Sequence, residues 1–353
     1  VRCRRAIQEC PDVSPSSSSP SPLTAMTVLG SAPLDVLDAY RTCEFVTLGK
    51  DGTPLAWPTA VARRDDGTLL LTTSLAFAQK AVNIRRDGRV GLLFSDPTGS
   101  GLDFAPQVFV GGRAQCPDRV MAGPRGAEEY WRRLFERQPH SRAYLLRPMR
   151  PVMSWYYLRL LITVEPELVV VRPPLAELPP RPEPEPEPPA GARALPGAAQ
   201  LAGLPTAVLA ARDASGAPVL ARTRPRPTAA GYLVEVPRDC PVEPGPASLL
   251  VHRHDERLDH MYNALVRGDL RRTAAGWVMV PSSVVEPMGS GRASDALRVL
   301  RRTWRSTDRY LALRGLRRPK VQWDRFRALA EPGREAAPAG RGGRTPVKGA
   351  PHH

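Results

Sequence analysis

Over its first 170 residues the chain alternates apolar and polar positions in short bursts, which predicts half-buried strands rather than amphipathic helices. Glu44–Leu48 alternates, Gly49-Lys50-Asp51-Gly52 supplies a turn, and Pro54–Arg63 returns as a second strand. Arg64-Asp65-Asp66-Gly67 turns again into a third strand, Thr68–Thr73. Ser74 then caps a predicted helix over Leu75–Arg86, which Asp87-Gly88 ends. Arg89–Ser95 is a fourth, buried strand and Val108–Ala114 a fifth. Glu128–Gln138 is a predicted helix, and Tyr157–Val164 with Glu167–Val171 closes the sheet. Short strands at regular spacing around one inserted helix predict a small barrel.

The plan recurs further along. Ala207–Arg212, a turn at Asp213-Ala214-Ser215-Gly216, and Pro218–Arg224 repeat the first hairpin. Tyr232–Val236, Ala247–Val251 and Ala264–Leu270 match the third, fourth and fifth strands, with ALVRGDL standing beside VFVGGRA. The helix has no counterpart, because the prolines of Pro237–Pro246 forbid one. Between the copies, PPRPEPEPEPP lies within Pro173–Pro196, an extended spacer reaching on the order of 75 Å at the polyproline rise. Beyond the second copy, Leu297, Leu300, Trp304 and Leu311 mark an amphipathic helix over Ser294–Leu313 with arginines between them. Its expected role is docking onto a barrel face, and the alternative is binding to nucleic acid or anionic membrane. The expected organisation is an extension (1–26), a first barrel (27–172), a Pro/Glu linker (173–199), a degenerate second barrel (200–288), a basic helical tail (289–330) and a disordered end (331–353).

Composition narrows the classes. The net charge of +15 is concentrated from Gly291 onward, where 16 Lys/Arg face 5 Asp/Glu, while the other 290 residues carry 34 against 30. The basic excess therefore belongs to the tail, and nucleic-acid binding by the barrels is not expected. The five cysteines are scattered without a CxxC pair, which argues against a disulfide framework and against structural zinc. No apolar run is long enough to span a bilayer. Val1–Ala25 mixes arginines with a Ser/Pro tract and reads as a disordered extension or an upstream translation artefact before Met26, which points to a cytoplasmic location.

The informative stretch is Leu69–Asp96 (LLLTTSLAFAQKAVNIRRDGRVGLLFSD). A strand that ends in hydroxyls and enters a helix offers the donors and the positive dipole end that a phosphate monoester requires. Lys80, one of only four lysines against 46 arginines, can add a point charge. The plain alternative is a strand-to-helix junction with a solvated lysine. Asp51-Gly52-Thr53-Pro54, Thr72-Thr73-Ser74, Lys80 and Arg89–Phe94 together resemble the flavin-binding core of the pyridoxamine 5′-phosphate oxidase-like split-barrel superfamily, across about 44–172. The resemblance implies a mainly β fold with α (α+β) built as two tandem split β-barrels. It implies FMN as cofactor, with a phosphate clamp at Thr72, Thr73, Ser74 and Lys80 and the strand Trp57-Pro58-Thr59 along the ring; deazaflavin and haem are the alternatives.

The chain departs from pyridoxamine-phosphate oxidases themselves. Trp57 and Ala62 stand where those enzymes carry an Arg and a Lys, the C-terminal Arg-x-His motif is missing, and Arg63 or Arg85 is the candidate replacement charge. The expected function is hydride transfer between flavin and an unknown small substrate, the protein supplying orientation and exclusion of water. The non-enzymatic alternative is a regulatory double barrel with a vestigial site. No acid/base pair stands out. His252 and His254 would share one face of a strand end, as metal or haem ligands do, though surface or interface histidines are the favoured reading and no metal is expected. Tyr130-Trp131 and Trp155-Tyr156-Tyr157 are core anchors or stacking partners. Members of the superfamily pair as homodimers around their cofactors. Two barrels in one chain imply an intrachain pseudo-dimer with one complete site and His252 and His254 in its wall; the rival is a homodimer of first barrels.

Overall fold

The structure, a computed structural model, describes residues 29–30, 32–175, 195–285 and 293–331. The Val1–Ala25 extension, most of the Pro/Glu linker and the chain end from 332 lie outside the described residues. The fold is mixed α+β, with two curled antiparallel sheets. The first contains β1 (Cys43–Leu48), β2 (Pro54–Thr59), β3 (Val61–Arg63), β4 (Leu69–Ser74), β5 (Arg89–Phe94), β6 (Gln107–Gln115), β7 (Val120–Met121) and β8 (Arg159–Arg172). Its order is β2-β1-β5-β6-β8-β4-β3, with β7 also on β8. The helices that accompany it among the described residues include α1 (Leu34–Ala39), α2 (Gln79–Arg86), α3 (Glu128–Arg137) and α4 (Arg150–Tyr157).

Three local expectations are corrected. The strand expected over Pro54–Arg63 breaks at Ala60, so that β2 pairs with β1 while β3 crosses to β4. The helix expected over Leu75–Arg86 is two pieces: Ser74 caps a 3-10 turn, Leu75–Phe77, and α2 begins only at Gln79. Tyr157 ends α4 instead of opening a strand, and β8 runs unbroken from Arg159 to Arg172.

The second sheet contains β9 (Ala207–Arg212), β10 (Pro218–Thr223), β11 (Arg226–Thr228), β12 (Gly231–Val234), β13 (Glu243–Arg253), β14 (Tyr262–Thr273) and β15 (Gly276–Val285), after a short helix α5 (Ala198–Ala202). Its order, β10-β9-β13-β14-β15-β12-β11, is that of the first sheet strand for strand. The registers match as well: Thr59 faces Cys43 and Pro58 faces Glu44, as Thr223 faces Ala207 and Arg222 faces Val208. Both first hairpins turn on a left-handed glycine, Gly52 and Gly216. Each sheet also carries a bulge at a matching glycine. The β6–β8 register shifts between Gly111 and Gly112, and the β14–β15 register between Arg267 and Gly268. A Cβ at Gly112 would run into the Glu165 carbonyl, and one at Gly268 into that of Val280. Only glycine lets the bulged backbone approach so closely.

The two sheets pack against each other through a shared core. Val46, Ala56, Leu93 and Phe109 of the first join Leu209, Leu220 and Leu249 of the second in one buried cluster. Polar bonds frame it: Ser248 donates to the Pro54 carbonyl at 2.6 Å, Arg89 to that of Ser215 at 2.9 Å, and Arg267 pairs with Asp51 at 2.6 Å. The C-terminal helices α6 (Ala293–Leu313) and α7 (Trp323–Ala330) dock on the first sheet's side. Tyr310 and Leu311 enter its main core, Trp304 donates to the Val152 carbonyl, and Phe326 packs edge-on against Trp131. No helix among the described residues is long and apolar enough to cross a membrane.

Candidate functional site

A cleft of about 350 Å³ opens where β2, β4, the 3-10 turn, α3 and α4 of the first sheet meet the end of β13 and the loop after it. Its volume lies in the range of small-molecule sites. Pro58, Thr59, Thr72, Thr73, Ser74 and Lys80 all line it, and the Trp57 ring lies 4.9 Å under the Lys80 ammonium. The structure thus brings together the strand and the hydroxyl–lysine segment that the sequence singled out. No aspartate or glutamate lines the cleft among the described residues.

The hydroxyls are not equal. Ser74 donates to the Trp155 carbonyl at 2.7 Å and accepts from the Ala76 amide, while Thr73 donates to the Phe77 carbonyl at 2.9 Å. A hydroxyl has one proton to give, so these two line the cleft with their protons already committed to the turn. Thr72 differs: its oxygen accepts from Arg159 at 2.9 Å, which leaves its proton for a ligand.

Arg159 was not among the sequence candidates. It opens β8 opposite Ser74, is 8% exposed, and spends two donors on Thr72 and the Tyr156 carbonyl. Its guanidinium lies 4.4 Å from the Tyr156 ring centre and 5.0 Å from that of Trp131, with no carboxylate partner among the described residues. A buried cation held only by neutral groups is costly and remains electrostatically hungry. Burial lowers the Lys80 pKa to about 8, and repulsion from Arg159 adds to that effect. The buried Trp155 indole N–H nearby has no partner among the described residues. This corner therefore presents two cations and the free proton of the Thr72 hydroxyl to whatever enters, which is the complement of a phosphate. Arg63 and Arg85, the expected replacement charges, are spent elsewhere: Arg63 pairs with Asp38 at 2.6 Å, and Arg85 with Asp118 at 3.1 Å.

The opposite wall comes from the second sheet: Arg253, His254, Leu258, Met261 and Tyr262. His254 faces the Asp255 carbonyl through Nδ1 at 2.9 Å and Thr42 through Nε2 at 3.1 Å. A carbonyl only accepts, so Nδ1 carries a proton, while Nε2 also lies 3.7 Å from the Asp96 carboxylate. His252 points away from the cleft into a buried ionic cluster between the sheets. Its Nε2 meets Glu44 at 2.8 Å, and Arg222 meets the same carboxylate at 2.7 Å. Ser95 bridges the pair, donating to Glu44 at 2.8 Å and accepting from Arg222 at 2.9 Å. Burial pushes the fully enclosed Glu44 carboxyl up, but the Arg222 charge and the bonds from His252 and Ser95 outweigh it and hold it below the usual range. The histidine pair is thus divided between a structural ion cluster and the cleft wall, and no metal-binding group of His, Cys, Asp or Glu occurs among the described residues. The aromatic pairs divide likewise: Trp131 and Tyr157 are buried and stacked at 5.3 Å, whereas Tyr130, Trp155 and Tyr156 reach the cleft.

No family model matches the chain, and no curated protein matches it. Solved structures do match. A conserved hypothetical protein from Mycobacterium tuberculosis is 24% identical, covering 40% of this chain and 84% of that one, with a TM-score of 0.30. A Listeria innocua protein provisionally assigned as a pyridoxamine 5′-phosphate oxidase is 17% identical, over 39% and 93%, with a TM-score of 0.27. An FAD-binding protein from Mesorhizobium loti is 18% identical, over 40% and 89%, with a TM-score of 0.25. The likeness is to split β-barrel proteins of the pyridoxamine 5′-phosphate oxidase type. Each match spans about two fifths of this chain and most of the other, and it concerns fold alone.

Proposed function

We propose that the cleft binds FMN and that the protein is an oxidoreductase of the split-barrel class acting on a small substrate. The observation that carries this reading is the corner of Lys80, Arg159 and Thr72: two cations and a free hydroxyl proton, with no carboxylate, beside the strand Trp57-Pro58-Thr59. The corner would hold the cofactor phosphate, and the strand and the Trp155 and Tyr156 rings would flank the flavin. When bound, the flavin supplies hydride transfer. The chain's own residues bind, orient and exclude water. Lys80 and Arg159 neutralise the phosphate, β2 offers main-chain groups to the ring edge, and the second sheet's wall screens the cleft from solvent.

One site per chain is part of the same reading. At the place of Pro58, the second hairpin carries Arg222, which points into the ionic cluster. The stretch from Pro237 to Pro246 has no helix and no lysine to match α2 and Lys80. An intrachain pseudo-dimer with a single complete site is therefore the assembly proposed here.

The absorbance spectrum of freshly purified full-length protein tests the cofactor: flavin bands near one equivalent per chain support the reading. A deazaflavin spectrum or a haem Soret band would replace FMN, and a colourless protein that takes up none of them would leave a binding or regulatory double barrel. Lys80→Ala removes a charge-assisted contact of about 1.5–3 kcal/mol, so FMN affinity should fall roughly ten- to hundredfold. Unchanged affinity would refute the clamp.

A further inference from the structure

We propose that the cleft takes, beside the cofactor, an organic acid with an apolar body, and that Arg253 of the second barrel binds its carboxylate. This rests on the reading that the Lys80–Arg159 corner holds a cofactor phosphate, and it adds the chemical class of the substrate.

The first observation is charge. Three side-chain cations line the cleft, and no carboxylate does among the described residues. Lys80 and Arg159 are neighbours, since Arg159 is the charge that lowers the Lys80 pKa. Arg253 is not among the groups acting on Lys80, and it stands on the facing wall, exposed, its guanidinium 5.8 Å from the Tyr262 ring centre. It makes no ion pair among the described residues. An arginine laid against a ring keeps its N–H edge for a planar acceptor, and the acceptor that matches this fork is a carboxylate. One phosphate at the Lys80 corner leaves this cation uncompensated.

The second observation is the wall around it. The loop from Asp255 to Met261 holds two of the three left-handed non-glycine residues among those described, Leu258 at φ 55° and His260 at φ 48°. Such backbone persists only where its surroundings over-determine it, and it concentrates at ligand-binding elements. The surroundings do so here. The Asp255 carboxylate accepts from the amides of Arg257 at 3.0 Å and Asp259 at 2.7 Å, and Asp259 meets His140 of the first barrel. The loop also packs so tightly on Gly99 that a Cβ there would strike Glu256. The strain serves to place Leu258 in the cleft wall, with Met261, 55% exposed, beside it. A cation next to a preformed apolar wall selects an acid with a hydrocarbon or aromatic body.

The test is calorimetric titration of full-length protein, with and without saturating FMN, using benzoate, phenylacetate and hexanoate against the corresponding amides. The acids should bind at least tenfold more tightly than the amides. Arg253→Gln should erase that preference and leave amide binding unchanged, and Arg253→Lys should restore part of it. Lys80→Gln should weaken FMN while the acid preference stays. Equal binding of acids and amides, no acid binding at all, or a preference that survives Arg253→Gln would overturn the proposal. A preference abolished by Lys80→Gln alone would also overturn it, by placing the acid in the phosphate corner. FMN binding is followed separately by flavin absorbance. Acid selection without FMN binding would defeat the cofactor reading only, and FMN binding without acid selection would defeat this one only.

Discussion

Replacing Arg222 with methionine removes one charge from the cluster that joins the two barrels and leaves the other buried. Glu44 has no exposed surface and Arg222 is 9% exposed, so solvent screens neither charge appreciably. Removing one partner of such a pair costs about 3–5 kcal/mol, because the remaining charge loses its compensation in a medium that cannot solvate it. Glu44→Leu should cost a similar amount, since it strands the guanidinium. The double variant Glu44→Leu/Arg222→Met buries apolar groups of similar size and should cost far less than the sum of the singles. Urea unfolding followed by tryptophan fluorescence and circular dichroism at pH 7 gives the three free energies. The pH dependence has a definite sign. Glu44 titrates below its ordinary value in the folded state, so its stabilisation is present above that ordinary value and is lost as pH falls through the lowered one. Glu44→Leu should therefore flatten the acid limb of the stability profile. Additivity of the two single changes within about 0.5 kcal/mol would show that the charges are not a coupled unit.

Two further outcomes are expected. Lys80 titrates near 8 in the empty cleft, against about 10.4 unfolded, so between those values the unfolded chain holds more protons and apo stability should rise with pH. Over the same interval FMN affinity should fall by up to tenfold per pH unit, and calorimetric titrations from pH 6.5 to 9.5 should show a slope that Lys80→Gln lacks. Gly112→Ala and Gly268→Ala should each lose on the order of 1–3 kcal/mol by forcing a methyl group into a carbonyl of the facing strand; urea midpoints equal to wild type would show that the bulges yield freely.

The hairpins and the first-barrel strands were legible because each is local: an alternating burst, a turn with its glycine, another burst. The elements that were missed have physical reasons. β15 carries Pro281, which argues against a strand interior, yet Pro281 faces Gly268 at the bulge, where no ladder donor is needed. α4 was hidden by the aromatic run Trp155-Tyr156-Tyr157, which favours strand on propensity and is helical here because Pro151 opens the first turn and the Tyr156 and Tyr157 rings pack on Trp131. At the site, Lys80 was conspicuous as a rare lysine after a hydroxyl-ended strand. Arg159 was not, since one arginine among 46 carries no signal until β8 places it against Thr72. The Glu44–Arg222–His252 cluster joins positions up to 208 residues apart, a pairing no local pattern encodes.

Pro58 and Arg222 occupy matching places in two hairpins of equal length and register, and they have opposite uses. In a homodimer a mutation arrives twice, once in each subunit. An arginine that locks one side of the interface would then also intrude where the other side must stay open for a ligand. Covalent linkage of the barrels lifts that constraint. Each hairpin can be selected for its own task, and the identity of one position can drift without a simultaneous change across the axis. The closed side of this molecule then serves as a fixed anvil against which the open side is shaped.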